Sequence, residues 1–117
     1  MPHVILHIIA HTDWAAAQHT SLYHGDTLAT EGFIHCSTPA QVIIPANAFY
    51  HGRADLLLLV IDPARLTAPL LYEDTAGSGQ AFPHLYGPLN LDAVQATVAF
   101  PPQADGTFVL PPALSEA

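Results

Sequence analysis

The chain has 117 residues, 50% of them hydrophobic, which suits a single domain burying roughly two thirds of its unfolded surface and excludes a disordered chain. Ten acids against two arginines and no lysine give a formal net charge of −8 at pH 7, which excludes a protein held to nucleic acid by its overall field. Eight histidines are the unusual count, since histidine can carry a proton, ligate a metal or donate a neutral hydrogen bond.

In chain order, His3 to Ile9 alternates His3, Ile5, His7 and Ile9 against Val4, Leu6 and Ile8, which predicts a strand. Thr12 and Asp13 offer caps for a helix through Trp14, the alanines and Gln18. A short helical turn around Thr27 to Glu31 should end at Gly32, and Phe33 to Ser37 reads as extended. Thr38-Pro39-Ala40-Gln41 has the form of a helix start, with Thr38 as cap, Pro39 first in the helix and Gln41 as capping-box partner. That helix is expected to reach Tyr50, bent at Pro45, before His51-Gly52 stops it.

Asp55 to Asp62 is apolar on both faces and predicts a central strand closed by Pro63. Leu70 to Glu73 predicts another strand, and Asp74 to Gln80 a loop. Phe82 to Pro88 is extended with two prolines, which places it at a sheet edge or a site wall. Val94 to Phe100 and Thr107 to Leu110 are expected to pair across the Asp105-Gly106 turn. The lone Cys36 makes no internal disulfide and no CxxC zinc frame. With no basic leader and no apolar run near the roughly 20 residues a bilayer needs, the expectation is a soluble, cytoplasmic protein without a membrane partner.

Two runs concentrate chemistry. In Gly32 to Pro39, strand alternation sets Phe33, His35 and Ser37 on one face and Ile34 with Cys36 on the other, while the helix start at Thr38 aims amides at the strand end. That describes a pocket for an anion or polar ligand; the plainer alternative is a strand with one satisfied histidine and an ordinary cap. Cys36 reads as a small core hydrophobe. In Phe82 to Pro88, the same alternation groups Phe82, His84 and Tyr86, an aromatic, an imidazole and a phenol able to stack on a flat ligand; the alternative is an edge strand packed on the core. His3, His7 and His11 would line one face of a helix, but on a strand their neighbours lie about 13 Å apart, too far to share an ion, so no metal site is assigned. Glu73 and Asp74 read as a solvated strand end.

Leu6-His7, Trp14, Gly32-Phe33-Ile34-His35-Cys36-Ser37, Gln41, the Asp55 to Asp62 strand, Tyr72-Glu73 and Phe82-Pro83-His84-Leu85-Tyr86-Gly87-Pro88-Leu89 resemble a small bacterial family known only as a domain of unknown function. That family resembles, more distantly, the ADP-ribosyltransferase superfamily, in particular its two-histidine branch with the RNA 2′-phosphotransferases. The resemblance implies an α+β fold with a split, strongly bent, mostly antiparallel sheet and short flanking helices around a nicotinamide-dinucleotide cleft. It implies that His7 is the first-strand histidine, which contacts a ribose hydroxyl, and His35 the second, with Tyr86 or His84 at the third-strand position. His7, His35, His84 and Tyr86 are then the candidate catalytic residues, and Phe33, Ser37, Thr38 and Phe82 the candidate binding residues, with NAD as a substrate and no resident cofactor required. The phosphotransferases hold RNA with several arginines; here Arg53 and Arg65 are the only two and lie outside the motif blocks, so phosphates would rest on the amides after Ser37, with protonated histidine to assist them.

Three function classes follow. The first is an ADP-ribosyltransferase-like domain binding NAD or a related nucleotide and transferring or cleaving ADP-ribose, with its named side chains converging on one concave site. The second is a ligand- or partner-binding module that has kept the cleft and lost the chemistry. The third, a metal-dependent hydrolase, rests on histidine count alone.

Overall fold

Eleven prolines and seven glycines interrupt the chain so often that no regular element among the described residues exceeds seven residues. The computed structural model describes residues 3–25 and 27–114. In order come β1 (Ile5–Ala10), α1 (His11–Ala17), β2 (Leu22–Tyr23), α2 (Leu28–Glu31), β3 (Ile34–His35), α3 (Ile43–Phe49), β4 (Leu56–Ile61), β5 (Leu70–Glu73), β6 (Phe82–Leu85), β7 (Leu89–Asn90) and β8 (Val94–Ala99). The fold is α+β, and every strand pairing is antiparallel among the described residues.

The strands form two three-stranded sheets, β1-β4-β8 and β3-β6-β5, and a small β2-β7 pair. β4 lies in the middle of the first sheet, as its all-apolar run demands. Its Leu59 and Ile61 join Ile5, Ile34 and Leu85 in one core, while Leu58 and Val60 join Leu6, Phe100 and Phe108 in another on the opposite face. The two three-stranded sheets touch through one bridge: Leu6 N–H donates to the Ser37 carbonyl at 2.7 Å, and Ser37 N–H returns to the Leu6 carbonyl at 2.8 Å.

Four expectations need correction. α1 starts at His11, directly after β1, and neither Thr12 nor Asp13 caps it; its first amide instead reaches the Asp55 carbonyl at 2.9 Å. α3 starts at Ile43. The amides of Gln41 and Val42 both turn back to the Thr38 carbonyl (3.0 and 3.1 Å), and Gln41 Oε1 accepts from Thr38 N–H at 3.1 Å, closing a separate turn ahead of the helix. Pro45 therefore falls in the first helical turn, where its missing N–H costs nothing and bends nothing. β6 is a central strand, with β3 and β5 on either side, so of the two places expected for Phe82 to Pro88 it is not at a sheet edge but does wall a site. It tolerates Pro83 because the carbonyl still accepts from Cys36 N–H at 3.0 Å; beyond that point the chain leaves β6 and Ser37 pairs with Leu6. Thr107 to Leu110 is not a strand: Phe108 N–H donates to Asn47 Oδ1 of α3 at 2.7 Å, so helix packing claims the backbone that pairing with β8 would need.

Candidate functional site

The site lies where the two sheets meet. Strand alternation puts His7 on the Ile5 and Ile9 face of β1, one residue beyond the Leu6 bridge. Its Nδ1 lies 2.6 Å from the His35 carbonyl, which can only accept, so an N–H sits on Nδ1, and Nε2 lies 3.4 Å from the Tyr23 hydroxyl.

His35 stands directly opposite His84 in the β3-β6 register, and directly opposed residues share a face. Their ring centres are 5.5 Å apart and nearly perpendicular. Gly32, at φ +88°, is the left-handed cap that turns α2 into β3, and this turn sets Glu31 beside His35 with Oε1 accepting from Nε2 at 3.0 Å. Phe33 is buried and stacks on the His84 ring, 4.0 Å between centres and 18° between planes.

His84 is 2% exposed and donates from Nδ1 to Glu73 Oε1 at 2.9 Å. The same oxygen accepts the Tyr86 hydroxyl at 2.5 Å. Hydrogen bonds from Tyr86 first and His84 second hold the Glu73 carboxyl below its ordinary range, and the bond to Glu73 raises the Tyr86 phenol. Glu73 is thus more than a solvated strand end, because β5 pairs beside β6 with Glu73 opposite Phe82, diagonal to His84. Burial pushes the Cys36 thiol up to about 12, so it is a protonated core group and no nucleophile at neutral pH.

A cavity of about 650 Å³ opens between these strands and α3. His7, His35, Ser37, Phe82 and His84 line it; Phe33, Thr38 and Tyr86 do not. Phe33 instead backs the His84 ring, Tyr86 backs Glu73, and Thr38 is taken up in its own turn. Of the amides expected to serve a phosphate after Ser37, that of Thr38 donates to Gln41 Oε1 and those of Gln41 and Val42 to the Thr38 carbonyl. Ile44, Pro45, Ala48 and Phe49 supply an apolar wall, and Glu31 and Asp74 supply acids. Sequence reasoning missed that wall, although the spacing of Ile44, Ala48 and Phe49 on a helix was the signal for it. It assigned Glu31 no role, although its place four residues before His35 was the signal.

On the other side of His7 a second cavity of about 490 Å³ is lined by Tyr23, Tyr50 and Arg53. Neither arginine lines the first cavity: Arg53 pairs with Asp55 (2.7 Å) and Arg65 lies 3.6 Å from Asp62. Among the described residues, no set of three His, Cys, Asp or Glu side chains is placed to hold a metal ion, and no helix is long and apolar enough to cross a membrane.

Fold and site define a small α+β protein with a histidine-lined cleft between two antiparallel sheets. The chain belongs to the family described as protein of unknown function (DUF952), whose model matches residues 8–97. It is similar to protein CC0527 from Caulobacter crescentus, whose crystal structure is 32% identical over 92% of this chain and 94% of that one, with a TM-score of 0.83. The solution NMR structure of the same protein is 32% identical, covers 92% of each chain and has a TM-score of 0.80. No curated protein matches the chain.

Proposed function

We propose that the protein is an ADP-ribosyltransferase-like domain that takes NAD or a related nucleotide into the histidine-lined cavity and transfers or cleaves ADP-ribose there. The observation that carries this reading is the convergence of His7, His35 and His84, from three strands of two different sheets, on one cavity of about 650 Å³. That volume lies within the roughly 300–1,000 Å³ range of small-molecule sites. Two three-stranded sheets joined at one bridge also agree with the split sheet of that superfamily.

The chemistry suits the residues. Breaking the nicotinamide–ribose bond sends the bonding electrons out with nicotinamide and leaves positive charge on the anomeric carbon, which water or another nucleophile then attacks. Glu31 and Asp74 in the cavity lining oppose that charge electrostatically, and His84, oriented by Glu73, can take the proton of the attacking group. Phe49 and Ile44 offer a flat ring an apolar face.

The test is a thermal-shift and calorimetric panel of NAD, ADP-ribose and nicotinamide on the wild type and His35→Ala, with released nicotinamide measured by chromatography. Stabilisation by NAD that disappears in His35→Ala supports the reading. A stabilisation unchanged by the substitution, or no binding of NAD or ADP-ribose, overturns it. The absence of arginine from the cavity lining favours, as a second reading, a binding module without turnover, for which NAD binds and no nicotinamide is released.

A further inference from the structure

We infer that the second cavity, on the far side of His7, is a separate site for a small zwitterion: an amino acid whose carboxylate meets Arg53, whose ammonium meets Asp13 and whose apolar side chain covers Leu22. The inference goes beyond the nucleotide reading and does not depend on it, because Arg53, Asp13 and Leu22 line the second cavity and none of them lines the first.

The arginine is the first support. Asp55 sits side-on to its guanidinium, accepting from Nε at 3.1 Å and from Nη2 at 2.7 Å, and the Tyr50 ring centre lies 5.6 Å from the guanidinium carbon. These contacts orient a fork that is otherwise free to swing. The side-on pairing leaves the edge between Nη1 and Nη2, whose N–H groups no acceptor among the described residues takes. A carboxylate matches such an edge with both of its oxygens.

The placement of opposite charges is the second support. His11 N–H donates to the Asp55 carbonyl at 2.9 Å, which ties the start of α1 to the chain beside Arg53 and brings Asp13, in the first turn of α1, to the same cavity. Asp13 makes no ion pair or hydrogen bond among the described residues. The Arg53 pKa is raised by its hydrogen bond to Asp55 first and by the charge of Asp13 last, so Asp13 and Arg53 act on each other without touching. Such a gap accepts a molecule carrying both signs in the reverse order. A phosphate there would be repelled by Asp13 and Asp55 together, whereas a zwitterion brings no net charge. The rest of the lining is apolar: Ile9 and Ala17 are buried, and Leu22 is 38% exposed and can be covered by a hydrocarbon side chain. The volume of about 490 Å³ is that of a small-molecule site, within the roughly 300–1,000 Å³ range.

Titration of ¹⁵N-labelled protein at neutral pH with L-phenylalanine, L-leucine, 3-phenylpropionate, phenethylamine and inorganic phosphate tests this. Phenylalanine and leucine should move the amide signals of Asp13, Leu22 and Arg53. Phenylalanine should bind about threefold to tenfold tighter than the acid or the amine, each of which keeps only one of its charges. Asp13→Asn should abolish the preference for phenylalanine over phenylpropionate, and Arg53→Gln should weaken the binding of both by about the same factor. Both residues are exposed, so the fold keeps either substitution. Four results each overturn the inference: no shift with either amino acid, tighter binding of phosphate or phenylpropionate, a preference unchanged in Asp13→Asn, or shifts centred on His35 and His84. The nucleotide reading is decided by its own NAD panel, and neither outcome alters the other.

Discussion

Phe33 joins the core to the site, and its replacement tests the packing that holds His84. It is 7% exposed, stacks on His84 at 4.0 Å and meets His35 at 4.8 Å and Tyr86 at 5.3 Å. Removing a buried phenylalanine side chain costs about 3–5 kcal/mol, and the lower end applies here because the neighbouring rings border a cavity and can relax into the gap. Phe33→Ala should therefore lose about 3 kcal/mol out of a typical total of roughly 5–15. With a urea slope of about 1.5 kcal/mol/M, that moves the denaturation midpoint down by about 2 M. Phe33→Leu keeps most of the volume and forfeits the ring stack, for a loss of about 1.5 kcal/mol. Urea melts followed by tryptophan fluorescence of Trp14 give both numbers. An alanine variant less than about 1 kcal/mol from wild type, or a leucine variant as unstable as the alanine, would refute the stacking argument.

Three further outcomes follow. Cys36, its thiol raised to about 12 by burial, should resist alkylation in the folded protein at pH 8 and react at once in urea; equal rates in the two states would contradict the placement. Because hydrogen bonds lower the Glu73 carboxyl in the folded state, its contribution to stability is complete above the unfolded carboxylate range and fades as pH falls through the lower folded value. Urea midpoints from pH 6 to pH 3 should accordingly fall less steeply in Glu73→Gln than in the wild type, and parallel curves would show that Glu73 is not held in this way. At Gly87 an added methyl would lie 2.7 Å from the Ala68 Cβ. Gly87→Ala should lose about 1–3 kcal/mol, and Gly87→Ala/Ala68→Gly should regain only the part due to the contact, since the φ of +158° strains any side chain there; full recovery in the double variant would show that the backbone carries no strain.

How much of this was readable in advance depends on the range of the interaction involved. β1, β4 and β5 fall within a residue or two of where alternation and apolar runs put them, since strand periodicity is a property of neighbours in sequence. Gly32 as a helix stop is equally local, because only glycine adopts its φ of +88° without strain. The failures share a different cause. Thr107 to Leu110 has a strand-like composition, but Asn47, some sixty residues away in α3, takes the amide of Phe108. The Thr38 turn has the sequence of a helix start, yet Ser37 is drawn off to Leu6 and the helix begins only at Ile43.

The same division runs through the site. Amino-acid sequence alone determined a single α+β chain with a central strand at 55–62, and singled out His7, His35 and His84 as strand positions without chelating spacing. It also determined the shortage of cations that bears on any phosphate ligand. Only the tertiary structure decided that these histidines share one cavity, that Glu73 and Glu31 fix two of their tautomers, and that Tyr86, Phe33 and Thr38 stand outside the lining. The reason is register. His35 faces His84, and Glu73 reaches it diagonally, only because β6 is flanked by β3 and β5, and that order is set by side chains packing across distant parts of the chain.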